Sequence, residues 1–205
     1  MGYSIAGARS WREAVASCKP APFMDRFEPL RRRTIALVGL MGVGKSSVGR
    51  RLANTLGLSF RDADSEVETA AGRSIPDIFS ELGEAEFRTG EHKVIARLLD
   101  DPPHVLATGG GAFMDARTRE LIKTKAVSVW LKTDLEVLAR RIGRKDTRPL
   151  LIGKDPMEVL KAQAEARYPS YAQADITVET GDAAHHVSVD QLLRALSAYV
   201  EEHSQ

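Results

Sequence analysis

The stretch Thr34-Ile-Ala-Leu-Val-Gly39-Leu-Met-Gly42-Val43-Gly44-Lys45-Ser46-Ser47-Val48 constrains the fold more than any other part of the chain. An apolar run ends in a glycine-rich turn, and Val48, Leu52 and Leu56 then recur at helical spacing until Gly57 supplies a stop. The turn fits G-x-x-x-x-G-K-[ST], and it stands between strand and helix, as phosphate binding requires. Glycines let backbone N–H groups turn inward on phosphate oxygens, and the helix N-terminus adds partial positive charge. Gly42 to Ser47 form this cradle, with Lys45 reaching the β- and γ-phosphates and Ser46 offering its hydroxyl to Mg²⁺. By itself the loop implies only a nucleoside triphosphate, because switches, motors and small-molecule kinases share it.

Alternation of strand-like and helix-like segments continues beyond it. Strands are expected at Ile35 to Val38, Ser59 to Arg61, His104 to Thr108, Val127 to Leu131 and Ile176 to Val178. Between and after them, helices are expected at Asp64 to Ala71, Ile75 to Glu81, Glu84 to Leu99, Ala116 to Thr124, Leu135 to Ile142, Met157 to Tyr168 and Val189 to Val200. This order predicts an α/β fold with right-handed crossovers, a parallel sheet covered on both faces, and a site at the carboxyl ends of the strands. Residues 1–33, with Pro20, Pro22, Pro29 and the run Arg31-Arg32-Arg33, read as an appended flexible arm, with Met24 an alternative start of the same domain.

Composition narrows the partners. With 29 basic and 28 acidic residues the net charge is +1, so no global field favours nucleic acid or an anionic membrane. No apolar run approaches the ~20 residues that span a bilayer, and the first residues lack a signal-peptide core, so a cytoplasmic protein is expected. Cys18 is the only cysteine, which excludes an internal disulfide, and the five histidines show no metal-ligand spacing.

Three segments separate a kinase from a switch. Asp62-Ala-Asp64 follows the second strand; one carboxylate can order the water shell of Mg²⁺ while the other binds a hydroxyl and accepts its proton. The same pair also suits a helix N-cap followed by a first-turn acid. The third strand ends in Thr108-Gly109-Gly110-Gly111, where a phosphate-loop protein often carries an aspartate for the metal; that aspartate is missing, leaving Asp62 as the best carboxylate for it. Three consecutive glycines suggest either close approach to the main chain or a plain flexible turn. Residues 143–154 form a long loop with Arg144, Arg148 and Lys154, preceded by Arg140 and Arg141, and read as a closing lid or as a solvated charged loop. Arg88 and Arg167 could form forks for a small carboxylate.

The phosphate loop, the aspartate pair, the three glycines, Gly83-Glu-Ala-Glu-Phe87-Arg88 and Arg148-Pro-Leu-Leu, in this order, resemble the shikimate kinase family from about Thr34 to the C-terminus. The resemblance implies a P-loop, nucleoside-monophosphate-kinase-like fold with a five-stranded parallel sheet flanked by helices and a mobile lid. It implies transfer of the ATP γ-phosphoryl group to the 3-hydroxyl of shikimate, with ATP and Mg²⁺ required and a monomer as the working unit. By similarity Lys45, Asp64 and Arg148 are catalytic. Gly42, Val43, Gly44, Lys45, Ser46, Ser47, Arg141 and Arg148 bind the nucleotide, and Ser46 and Asp62 serve the metal. The acceptor falls to Asp64, Arg88, Gly109, Gly110, Gly111 and Arg167. Two alternatives are a gluconate kinase, which shares the fold, and a nucleotide-binding regulatory module without turnover.

Overall fold

The first strand, β1 (Thr34–Val38), is buried at all five positions, as an apolar run in the middle of a parallel sheet must be. In the computed structural model, which describes residues 27–143, 155–181 and 185–203, it is flanked by β3 (His104–Ala107) and β4 (Ala126–Thr133). β2 (Ser59–Asp62) and β5 (Ile176–Thr180) complete a five-stranded sheet of order β2-β3-β1-β4-β5, and all four pairings are parallel. Among the described residues the α-helices are α1 (Lys45–Leu56), α2 (Ala63–Ala71), α3 (Ile75–Leu98), α4 (Ala116–Lys125), α5 (Leu135–Gly143), α6 (Pro156–Tyr171) and α7 (His185–His203).

The chain leaves β1 towards β2 on one side of the sheet, whereas β3 feeds β4 on the other side of β1. Right-handed crossovers in opposite directions put their helices on opposite faces. α1 and α7 accordingly pack together, while α3 packs on α4 and α4 on β4. The strand order reverses between β1 and β3, so the crevice expected to receive ligands lies at their carboxyl ends. The phosphate loop follows the first of these strands and the three glycines follow the second.

Three local features depart from the sequence expectation. The helices read separately over 75–81 and 84–99 form a single run, capped by Ser74 and interrupted only at Gly83, whose φ of 81° and ψ of 171° lie outside the helical region. α6 continues through Pro169 to Tyr171 instead of ending at Tyr168. Pro169 and Glu165 both lie on the exposed side, so the carbonyl that loses its helical donor can be solvated. Finally, residues 27–33 are not arm: Phe27 and Leu30 are buried in the core, and Arg33 donates to the Ala126 carbonyl at 3.0 Å. Residues 1–26 and the lid from 144 to 154, including Arg148, lie outside the described residues.

Candidate active site

Gly42 and Gly44 turn the phosphate loop with φ of 81° and 98°, a left-handed region that a side chain would make costly. Gly44 is the N-cap of α1, and no side chain caps the helix. A helix start without a side-chain cap, directly after a glycine-rich turn, suits an anion site. Lys45 Nζ donates to the carbonyls of Gly39 at 2.8 Å and Leu40 at 3.0 Å, which folds the cation back over its own loop. Ser46 Oγ donates to Asp62 Oδ2 at 2.6 Å, while Asp62 Oδ1 accepts from the Asp64 N–H at 3.2 Å. Asp62 thus caps α2 with one oxygen, as the helix N-cap reading expected, and its other oxygen meets the phosphate loop at Ser46.

Thr108 occupies the end of β3, where an aspartate is often found. Its N–H and hydroxyl both donate to the Leu37 carbonyl, at 3.1 and 3.0 Å, so it ties β3 to β1 and brings no negative charge to a metal where the aspartate would. Ser46 and Asp62 remain as the paired oxygen donors. Among the described residues no group of three or more His, Cys, Asp or Glu side chains could cage a metal. Two oxygens beside a phosphate site nonetheless fit Mg²⁺, which keeps most of its waters and takes phosphate oxygens as its other ligands.

Across the crevice, the three glycines give room to side chains. None of Gly109, Gly110 and Gly111 has a positive φ, so the backbone conformation does not require glycine there. Clearance does: a Cβ on Gly109 would lie 2.7 Å from both Asp64 Oδ1 and Glu91 Oε1, and one on Gly111 would lie 2.5 Å from Arg88 Cζ. A Cβ on Gly110 would meet Arg167 Nη1 at 3.3 Å and, from the phosphate loop, Met41 N at 3.6 Å. The arginine on α6 and the phosphate loop on β1 therefore converge on one residue.

Asp64 keeps an open face to the crevice, although protein atoms crowd it on its other sides. That crowding, followed by the neighbouring Asp62 charge, raises its pKa above the ordinary carboxylate value, with Lys45 and Arg88 opposing the rise. Arg88 is held between two carboxylates. Its Nη1 donates to Glu91 Oε2 at 2.6 Å, and its Nε and Nη2 donate to Glu84 Oε1 at 3.3 and 3.1 Å. Glu91 is 2% exposed and its Oε1 has no hydrogen-bond partner; burial pushes its pKa up, against the pull of Arg88. Arg167 Nη1 donates to the Gly110 carbonyl at 3.1 Å, and the buried Tyr171 hydroxyl donates to the same oxygen.

On the far side of the crevice Arg141 Nη2 donates to the Gly181 carbonyl at 2.9 Å, linking α5 to the end of β5. A cavity of about 550 Å³ beside it is lined by Lys132, Thr133, Tyr168, Glu179 and Thr180. An apolar groove of about 540 Å³, lined by Val67, Ile78, Leu82, Phe87 and Val94, contains none of the candidate site residues. The structure thus gathers Lys45, Ser46, Asp62, Asp64, Arg88, Gly109, Gly110, Gly111 and Arg167 around one crevice, with Arg141 towards the β5 end. Sequence reasoning missed Glu84, Glu91 and Tyr171. Glu84 and Glu91 stand four residues before and three after Arg88, a helical spacing that pairs opposite charges and was legible. Tyr171 was hidden behind Pro169.

Residues 41–197 match the family model described as Shikimate kinase. A shikimate kinase of Caulobacter vibrioides is 70% identical over 172 residues, covering 84% of this chain and 86% of that protein. One of Paramagnetospirillum magneticum is 57% identical over 169 residues, covering 82% and 87%. Among solved structures, shikimate kinase from Acinetobacter baumannii in complex with shikimate superposes with a TM-score of 0.79 at 38% identity, covering 89% of this chain and 99% of that one. The fold is the nucleoside-monophosphate-kinase-like P-loop fold.

Proposed function

The chain belongs to the shikimate kinase family, with ATP as a substrate, and from that footing we propose how its own residues transfer the γ-phosphoryl group to the 3-hydroxyl of shikimate. The observation that carries the reading is the meeting of Arg167 and the phosphate loop at Gly110, which would bring a cation for the acceptor carboxylate beside the donor phosphates.

Phosphoryl transfer needs alignment and charge neutralisation more than covalent help. Gly42, Val43, Gly44, Ser46 and Ser47 would hold the phosphates through the loop and the uncapped start of α1. Lys45 would exchange its carbonyl partners for the β- and γ-phosphate oxygens. Ser46 and Asp62 would hold Mg²⁺, Asp62 through water; the ion would neutralise charge between the β- and γ-phosphates. Arg88 and Arg167 would grip the acceptor carboxylate, with Gly109, Gly110 and Gly111 giving these side chains their clearance. Asp64 would then align the hydroxyl and accept its proton, and a raised pKa makes it a stronger base than an ordinary aspartate. Arg141 would sit on the nucleotide side, and Arg148 would close over the phosphates from the lid. The working unit is a cytoplasmic monomer serving aromatic amino acid synthesis. Among the described residues no helix is long and apolar enough to cross a membrane.

Acceptor-dependent ADP formation from ATP and Mg²⁺, with shikimate and gluconate offered side by side, tests the reading. Turnover is expected with shikimate and is expected to vanish in Lys45→Ala. Turnover with gluconate alone would overturn the acceptor assignment. ATP binding without any turnover would leave a regulatory nucleotide-binding module.

A further inference from the structure

Tyr171 lies in the last turn of α6 with a relative exposure of 0%, so it cannot touch a substrate in the crevice. Its ring packs near Trp130, with centroids 5.9 Å apart, and an apolar residue of the same shape would serve that purpose. The hydroxyl is what needs explaining. It donates to the Gly110 carbonyl, which also receives Arg167 Nη1 at 3.1 Å, so both acceptor positions of that oxygen are filled. Burial raises the Tyr171 pKa, opposed chiefly by the neighbouring Arg167, so the hydroxyl stays protonated as a donor at neutral pH.

A trans peptide points its N–H away from its carbonyl. Pinning the Gly110 carbonyl therefore fixes the direction of the Gly111 N–H, between the flanking carbonyls of Gly109 and Gly111 that already accept from Ala112 and Met114. The same oxygen also fixes one arm of the Arg167 guanidinium, which sets where its remaining N–H groups point. We propose that Tyr171 is a positioning residue for the acceptor carboxylate: through the Gly110 carbonyl it locks the glycine turn and Arg167 into one geometry before the acceptor arrives. This rests on the reading of Arg167 as a carboxylate ligand.

The test uses the full-length enzyme as Tyr171→Phe, Arg167→Ala and the double variant, with KM for shikimate and for ATP, kcat and Tm measured for each. Removing the hydroxyl deletes one buried hydrogen bond, so KM for shikimate should rise about five- to tenfold in Tyr171→Phe. KM for ATP and kcat should stay within about twofold, and Tm within a few degrees, because Arg167 still satisfies the carbonyl. In the Arg167→Ala background the Phe substitution should add much less than it does alone, since both act through one oxygen. A KM for shikimate within twofold of the parent in Tyr171→Phe, an equal rise in the KM for ATP, or full additivity would each overturn the positioning role. If Arg167→Ala itself leaves the KM for shikimate unchanged, the carboxylate reading fails first and takes this inference with it.

Discussion

Three alanine substitutions along one turn should have three different outcomes, because each glycine clears a different neighbour. None of the three has a positive φ, so alanine introduces no backbone strain and any effect comes from collision. At Gly111 the new Cβ would lie 2.5 Å from Arg88 Cζ, and the colliding atoms are the far end of a flexible side chain. Gly111→Ala should therefore fold and push Arg88 out of position. The loss of a hydrogen bond to a charged group is about 1.5–3 kcal/mol, which is roughly a ten- to hundredfold rise in the KM for shikimate, with the KM for ATP unchanged. At Gly109 the neighbours are Asp64 Oδ1 and Glu91 Oε1, both 2.7 Å away, and Glu91 is buried and held by Arg88. Gly109→Ala should lower Tm and abolish turnover together. At Gly110 the nearest atom is 3.3 Å away, at the tip of Arg167, which can yield by a few tenths of an ångström. Gly110→Ala should stay within about fivefold of the parent. Steady-state kinetics with each substrate varied, beside thermal unfolding, separates the three. If Gly110→Ala were as damaging as Gly111→Ala, the turn would need glycine for its backbone freedom, and the clearance argument would be wrong.

Two further expectations concern carboxylates. Asp64→Asn should lower kcat by at least about a hundredfold through loss of the proton acceptor, yet raise stability at neutral pH. A carboxylate whose folded pKa is raised destabilises the folded state above that pKa, and the effect disappears as pH falls through it towards the unfolded value of about 3.9. The Tm of Asp64→Asn should thus exceed the parent's at neutral pH and converge with it in acid; equal values at neutral pH would remove burial and Asp62 as the cause of the raised pKa. Glu84→Gln should lower the KM for shikimate about two- to fivefold, because an exposed carboxylate that occupies Arg88 would no longer compete with the acceptor's, and an exposed pair is worth at most about 1 kcal/mol. A higher KM in this variant would show instead that Glu84 holds Arg88 in readiness.

Much of the donor half was legible because a phosphate cradle is local. Strand, glycines, lysine and helix start are contiguous, and their spacing is dictated by one ligand group. The acceptor half is assembled from α2, α3, the turn after β3 and α6, and its membership depends on a strand order, with β3 inserted between β2 and β1, that no local pattern reveals. Arg167 could be nominated from sequence, but Tyr171 could not. A proline at 169 argues for a helix ending before it, and only the exposed setting of Pro169 and Glu165 lets α6 run one turn further. Phe27 and Leu30 were misread for the opposite reason. The prolines and arginines around them look like linker, and two isolated apolar residues carry no period, although tertiary packing buries both.

On the proposed reading, the partners of the three cations keep the crevice ready for two acidic substrates at once. Lys45 Nζ donates to the carbonyls of Gly39 and Leu40, and Arg167 Nη1 to that of Gly110, so these hydrogen bonds are made to neutral oxygens. Exchanging a neutral carbonyl for a phosphate or carboxylate oxygen replaces a weaker hydrogen bond by a charge-assisted one, which favours binding. Arg88 differs, because its partners are anions. Glu91 is buried and cannot be released to water, so it remains as the fixed side of the fork, whereas the side chain of Glu84 is 67% exposed and can leave at little cost. The acceptor carboxylate therefore has one vacated face of Arg88 to occupy, and the buried pair sets which face that is. On this view Glu91 defines the direction of approach and Tyr171 fixes the opposing arginine. Two residues with no proposed contact to substrate would then determine how precisely the two arginines proposed to bind it can close on it.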